Sequence, residues 1–471
     1  MLLASFSLGG LMFAQTPATP PAQTAPVSQG LQTTEIKVID SPCLFTIGAD
    51  FRTRSELDNG QFTFKAAGSE PENTVFSRAR LNFEYKKDKL TLKFSPQLVR
   101  VWGQTDSQGN YTAPVSPTNT AGATATMDQF NIYEAWAQYA VTPTWAMKVG
   151  KMPLSYDDER LFGALDWAMQ GRSFDAAKLI YTKNKAKFEL AGVYNNDIIE
   201  TTDVNGKEVY SVKDGGGELS KSIQILHYQN EFGSKVKFAF IAVNNTVQVA
   251  ADGSHNSLQT FGINPRLKLT EKLSLFGSAY YQGGRNSADK TKKAFQFSGN
   301  LELKPTAKLT TVLGAEILSG TSYDDPADEN NSFSPMYGTN HKFNGYMDYF
   351  YVGNHFNTST GNPGSRGLND FYLKSTYKAT AKGTLAANFH AFMLNKELSA
   401  VIDEKFLGTE VDLVYTHKVA DNFNYQLGYS QMMGNQDTMK ALKGIADPRA
   451  NQSWAWVQLN FSPKLFSAEI K

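Results

Sequence analysis

The feature that most constrains this chain is strict two-residue alternation, repeated in runs of about ten residues from Phe45 to Phe461. In SRARLNFEY (77 to 85), Ala79, Leu81, Phe83 and Tyr85 share one face, and Arg78, Arg80, Asn82 and Glu84 share the other. Phe45, Ile47, Ala49 and Phe51 lie opposite Asp50, Arg52 and Arg54, and Phe295, Phe297, Leu301 and Leu303 lie opposite Gln296, Ser298, Asn300, Glu302 and Lys304. The same period places Tyr133, Ala135, Ala137 and Tyr139 on an apolar face, and Ala455, Val457, Leu459 and Phe461 on another. A soluble β-sandwich alternates too, so the connections have to decide. Short lysine-rich turns such as YKKDKL (85 to 90), NEFGSK (230 to 235) and LTEKLS (269 to 274) alternate with long polar loops, near 56 to 75, 103 to 129, 152 to 175, 195 to 221 and 319 to 367 among others. Eight short and nine long connections join about 18 strands, an even number. The expectation is an all-β transmembrane antiparallel barrel with short periplasmic turns and long extracellular loops.

Composition agrees with that expectation. Phe 31, Tyr 21 and Gly 37 accompany a mean hydropathy of -0.37, so the chain is rich in strand-forming aromatics yet polar on average. No segment approaches the ~18 consecutive apolar residues of a membrane-spanning helix. A net charge of +1 gives no reason to expect a nucleic acid partner. LLASFSLGGLMFA near the N-terminus reads as the apolar part of a secretory signal, here without its basic start. The expected organisation is a signal over residues 1–15, a Pro/Thr/Ala-rich periplasmic spacer over 16–43 and the barrel over 44–471. Cys43 is alone, and the six histidines lack metal-ligand spacing, so neither a metal nor a cofactor is expected.

Function rests on inward-facing charge. Arg52, Arg54, Arg78 and Arg80 form a basic ladder, with Glu84, Lys93, Glu134 and Lys148 on the same lumenal wall. Guanidinium forks match carboxylate and phosphate oxygens, so such a wall can select anions; it can equally form ion pairs that only stiffen the barrel. The wall is not uniformly basic, because Asp50, Glu302, Glu316, Asp370, Glu410 and Asp412 also face inward. The stretch SYDDERLFGALDWAMQGRSFDAAKLIY is then an external loop expected to fold inward as a constriction. Asp157, Asp158, Arg160, Asp166, Arg172 and Asp175 would clasp it to the basic wall, and Phe162 and Trp167 would pack it down. No pair of carboxylates at working separation and no activated nucleophile is recognisable in it, so it is not read as catalytic. In NGYMDYFYVGNHF, Tyr346, Tyr349 and Tyr351 offer either a stacking platform for sugar rings or the loop's own small core.

FRTRSEL, SRARLNFEYKKDKL, LVRVWG, YEAWAQY and DDERLFGALDWAMQGRSFDAA, with HKFNGYMDYFYVGNHFNTST and GLNDFYLK further on, resemble the alginate-export family of outer-membrane proteins in its Bacteroidetes-type branch. The resemblance implies a monomeric barrel of eighteen strands, held in outer-membrane lipid and lipopolysaccharide, that passes an anionic exopolysaccharide through a positively charged pore. The expected function is therefore a channel, not an enzyme, for passage or export of anionic saccharides or small anions. The competing classes are an outer-membrane barrel hydrolase acting on lipid or glycan, and a structural or adhesin-like barrel without a conducting pore.

Overall fold

The computed structural model describes residues 43–61, 64–103, 129–195, 197–202, 208–212, 220–249, 253–350, 365–401, 403–443 and 445–470. The signal, the spacer before Cys43 and Tyr351 lie outside these residues. Eighteen strands form one closed antiparallel ring: Cys43–Asn59, Glu72–Lys87, Leu90–Val101, Gln129–Ala140, Trp145–Met152, Phe174–Lys183, Ala186–Tyr194, Ser220–Phe232, Val236–Gln248, His255–Lys268, Leu273–Arg285, Thr291–Leu303, Leu309–Leu318, Leu368–Lys378, Gly383–Leu394, Phe406–Ala420, Phe423–Gly434 and Asn451–Phe461. The last strand closes on the first, with Phe461 opposite Phe51 and Ser453 opposite Asn59. It resumes after Pro463 as Lys464–Ile470, again along the first strand. Proline has no N–H for the ladder, so the strand breaks there; the Pro463 carbonyl still accepts from Ala49 N–H at 3.0 Å.

Burial is inverted relative to a soluble protein. Outward residues are large, apolar and exposed (Phe130 71%, Leu313 57%, Phe297 55%), while Arg54, Arg78 and Gln458 on the inner face are wholly buried. A closed ring leaves no unpaired strand edge, which is the condition for a sheet to span lipid. Leu81, Tyr139 and Phe297 face outward, as the alternation predicts. Replacing Phe297 with arginine should therefore cost roughly 2–4 kcal/mol if the side chain sits at the bilayer midplane. The check is denaturant titration in lipid vesicles, in which the variant unfolds at lower denaturant than the parent.

One face assignment is corrected. Tyr133, expected outward with Tyr139, is buried, and the Arg80 guanidinium carbon lies 3.5 Å from its ring centroid. The cause is a bulge: Ser95 pairs with Glu134 but Pro96 pairs with Ile132, which leaves Tyr133 as the extra residue, turned to the inner face. Beyond it the alternation resumes, so Glu134 and Trp136 point inward.

Long loops fill the long-turn end of the barrel. The loop after Met152 and the loop after Leu318 both fold into the lumen and pair with each other, Phe162 bridging Tyr337. Gly163 N–H donates to the Tyr337 carbonyl at 2.9 Å, Tyr337 N–H to Leu161 at 2.9 Å and Thr339 N–H to Glu159 at 3.0 Å. Aromatic and aliphatic side chains of both loops, including Phe162, Tyr337, Tyr346, Tyr349 and Phe350, join one dry core with inner-face residues such as Phe174, Phe392 and Trp454. The first loop thus crosses the lumen as a strap, and the second seats upon it.

Candidate functional site: a strap clasped to a basic wall

Asp166 is exposed in the middle of a strap whose neighbours Leu165, Trp167, Ala168 and Met169 are buried. Three guanidiniums converge on its carboxylate: Arg78 Nη1 at 3.1 Å, Arg52 Nη2 at 3.3 Å and Arg80 Nη1 at 3.7 Å. Their register explains the convergence, because Arg52 pairs with Arg78 across the first two strands, and Arg80 sits one inward position along from Arg78. The protein around it partly desolvates the Asp166 carboxyl and pushes it up, but the charges of Arg52, Arg78 and Arg80 outweigh this and hold the group at about 2. Arg52 also donates to the Asp166 carbonyl at 2.5 Å, and Arg78 is shared with Asp50 at 2.8 Å. Arg80 donates twice to Gln97 Oε1, at 3.0 and 2.7 Å, and Gln97 Nε2 donates to the strap carbonyl of Gln170 at 2.8 Å. Gly171 comes next, with φ +65; a Cβ there would lie 2.7 Å from Tyr133 Cε2, so the strap can rest on the inward-turned tyrosine only as glycine. Arg54 stands behind, paired with Glu56 at 2.8 Å and bonded to Gln458 at 3.0 Å.

The other strap charges go elsewhere. Asp157 and Asp158, expected on the basic wall, reach the opposite side: Asp157 Oδ1 lies 2.8 Å from His227 Nε2, and Asp158 accepts from the Tyr280 hydroxyl at 3.2 Å and from Arg160 N–H at 3.0 Å. The reason is the strap's path. It leaves the fifth strand, so its first residues meet the eighth to eleventh strands before the chain crosses to the first two. Arg160 pairs with Glu316, and its guanidinium carbon lies 3.5 Å over the Phe343 ring. Arg172 donates to the carbonyls of Tyr337 and Gly338. Asp175 is not part of the constriction: it is the second residue of its strand, one position after inward Phe174, so it points outward toward Lys151 at 3.9 Å.

Trp167 stacks on His341 at 4.0 Å, and His341 stacks on Tyr346 at 4.6 Å. Tyr349 packs against Phe64 at 4.2 Å. Tyr346 and Tyr349 are thus buried in the loop core, with rings engaged by protein. Sequence reasoning missed that this second loop also enters the lumen and covers an inner wall of acids. There Glu410 accepts Met347 N–H at 2.8 Å, Glu316 accepts from Asn344 at 2.9 Å, Asp370 pairs with His390 at 2.9 Å and Ser430 donates to Asp412 at 2.7 Å. The density of Gly, Met and aromatic residues in PMYGTNHKFNGYMDYF was the available signal, since a solvated loop has no use for it.

On the short-turn side of the strap the inner face changes character. Asp50, Glu84, Lys93, Glu134, Trp136 and Lys148 are half-buried, whereas inner residues level with the strap are buried. Lys93 lies 3.9 Å from Glu84, and Lys148 Nζ lies 3.5 Å from the centroid of the Trp136 ring. The lumen is therefore a vestibule at the short-turn end, roofed by the strap, with the Asp166 carboxylate exposed at its arginine clasp.

A closed barrel that is polar inside and apolar outside, with loops folded into its lumen, is an outer-membrane channel. The chain belongs to the alginate export family, whose profile, described as "Alginate export", matches residues 44–441. No relative is found among the curated proteins. Among solved structures the chain is similar to Pseudomonas aeruginosa OpdO (12% identity, TM-score 0.56, covering 90% of this chain and 98% of that one) and OpdL (10%, 0.56, 90% and 99%). It is also similar to OccD3 (OpdP) of the same organism (9%, 0.56, 90% and 92%); at these identities the likeness concerns the fold alone.

Proposed function

We propose that this barrel passes anionic saccharides or small anions, and that the strap over residues 153–173 restricts the pore by its Asp166 clasp. One observation carries the reading: a carboxylate exposed to the lumen is held by three arginines from two adjacent strands. A wall that binds one carboxylate can bind another, so a uronate or similar anion meets guanidiniums already set in the geometry it needs. Under the same reading residues 1–15 are an export signal, 16–43 a periplasmic spacer, and the barrel works as a monomer within a leaflet of lipopolysaccharide. The test is reversal potential in a planar bilayer under a salt gradient. Anion preference is expected. A cation-selective parent protein would end the anion reading, and purified protein that hydrolyses lipid or glycan would replace the channel reading with an enzyme.

A further inference from the structure

The outer face of the first three strands carries a cation on the side that meets lipid. Arg78 points into the lumen and pairs with Val99, so Arg100, the next residue, faces outward, where it pairs with Ser77. Two outward rows meet here. Phe51, Ala79, Leu98 and Phe130 form an apolar row across the first four strands, and Thr53, Ser77 and Arg100 form a polar row beside it, nearer the long loops. Ala79 is the small residue of its row, and over it opens a cavity of about 520 Å³ whose lining includes Phe51, Ser77, Leu98, Arg100 and Trp102. Trp102 stands at the rim. Its N–H donates to the Val75 carbonyl at 2.9 Å and its Nε1–H to Ser77 Oγ at 3.2 Å, which fixes an exposed indole at the level where interfacial tryptophans sit.

An arginine on the outer face of a barrel is tolerated where hydrocarbon gives way to headgroups. On the eighth to tenth strands the corresponding row is neutral: Gln224, Asn244 and Gln259 lie beside the apolar row of Leu226, Ala242 and Phe261, and their amides bond to one another at 2.7 and 2.9 Å. Those amides satisfy each other and offer a lipid no charge. Arg100 offers one. It is engaged within the protein as well, but the five N–H donors of a guanidinium can serve a protein partner and a phosphate together. Long loops mark the external end of such a barrel, so the phosphates at this level belong to the outer leaflet. We propose that this groove is a binding site for one phosphorylated, multiply acylated glucosamine lipid of the lipid A class, with its phosphate on Arg100, an acyl chain along Ala79 and a sugar ring against Trp102. This rests on the reading that the barrel stands within a leaflet of lipopolysaccharide, and adds the place where one such lipid is held. A phosphatidylglycerol also presents a phosphate to Arg100 but has no sugar ring for Trp102.

The test is native mass spectrometry of the delipidated full chain in detergent, titrated with diphosphorylated lipid A, with the same lipid after enzymatic dephosphorylation, and with phosphatidylglycerol. The parent protein is expected to bind one lipid A roughly tenfold more tightly than either of the other two. Arg100→Gln should remove most of that preference and leave binding of the dephosphorylated lipid within about threefold of the parent. Ala79→Leu, which fills the groove and keeps the charge, should weaken both forms. Salt conductance should be the same in all three proteins, because the changed side chains face away from the lumen. Equal binding of lipid A and its dephosphorylated form, equal binding of phosphatidylglycerol, or undiminished lipid A binding by Arg100→Gln or Ala79→Leu overturns the site. If either variant fails to fold, the contrast between the lipids on the parent protein decides alone. Orientation is read separately: a polymer-linked maleimide too large for the pore should label Val401→Cys, at an exposed position of a long loop, on intact cells. Absence of labelling would overturn the placement in the outer leaflet, whereas binding in detergent reports on the groove itself.

Discussion

Asp166→Asn is expected to keep the barrel folded and to raise both conductance and current noise. The carboxylate takes part in three ion pairs, and the amide that replaces it keeps the shape but not the charge. A hydrogen bond to a charged group contributes about 1.5–3 kcal/mol, so losing that much from the clasp raises the population of strap-open states roughly tenfold to a hundredfold. The strap will not leave entirely, because Asp157 is still held by His227 and Arg160 by Glu316 on the far wall. Flicker between levels, not a permanently wide pore, is the expected record. Acid should reproduce it. The Asp166 carboxyl is held at about 2 in the folded protein, below the ~3.9 of an ordinary aspartate, so its contribution is complete above about pH 4 and disappears as the pH falls through about 2. The parent channel should stay quiet from neutral pH down to about 4 and become noisy below it, while the asparagine variant is noisy throughout. If the variant is as quiet and as poorly conducting as the parent at neutral pH, the clasp does not restrict the pore.

The strands were legible because their signal is local. Alternation and the sorting of turns by length are properties of consecutive residues, and together they dictate which side chain meets lipid. The exception, Tyr133, shows where local reading ends: one extra residue opposite Ser95 and Pro96 turned a predicted lipid-facing ring into the seat of Arg80 and Gly171. The strap was legible as a charged loop that needs partners, but its partners were not. Asp166 and Asp157 look alike in sequence, and only the path of the strap across the lumen sends one to three arginines and the other to His227. Tyr346 and Tyr349 read on composition alone as either a platform or the loop's own core, and only packing against His341 and Phe64 inside the fold decides for the core.

Removing Arg52 and Arg80 together should invert the ion preference, because these two carry the excess positive charge of the clasp. Arg54 is matched by Glu56 and Arg78 by Asp50, each at 2.8 Å, so neither pair adds net charge to the lumen. Arg52 and Arg80 are left with Asp166 as their carboxylate partner, their other contacts being neutral: Asn460 for Arg52, and Gln97 and Tyr133 for Arg80. Three cations, Arg52, Arg78 and Arg80, thus face two carboxylates, Asp50 and Asp166, a net charge of +1. With serine at 52 and 80 the single cation Arg78 faces both carboxylates, a net charge of -1. A narrow, water-poor passage feels that reversal strongly, since interactions between charges are screened less there than in bulk solvent. The double variant Arg52→Ser/Arg80→Ser should therefore shift the reversal potential in a tenfold potassium chloride gradient from the anion side of zero to the cation side. Replacing Lys148, which lies against the Trp136 ring below the clasp, leaves its sign unchanged. An unaltered reversal potential in the double variant would assign both arginines to holding the strap alone, and selectivity would have to reside in the vestibule lysines.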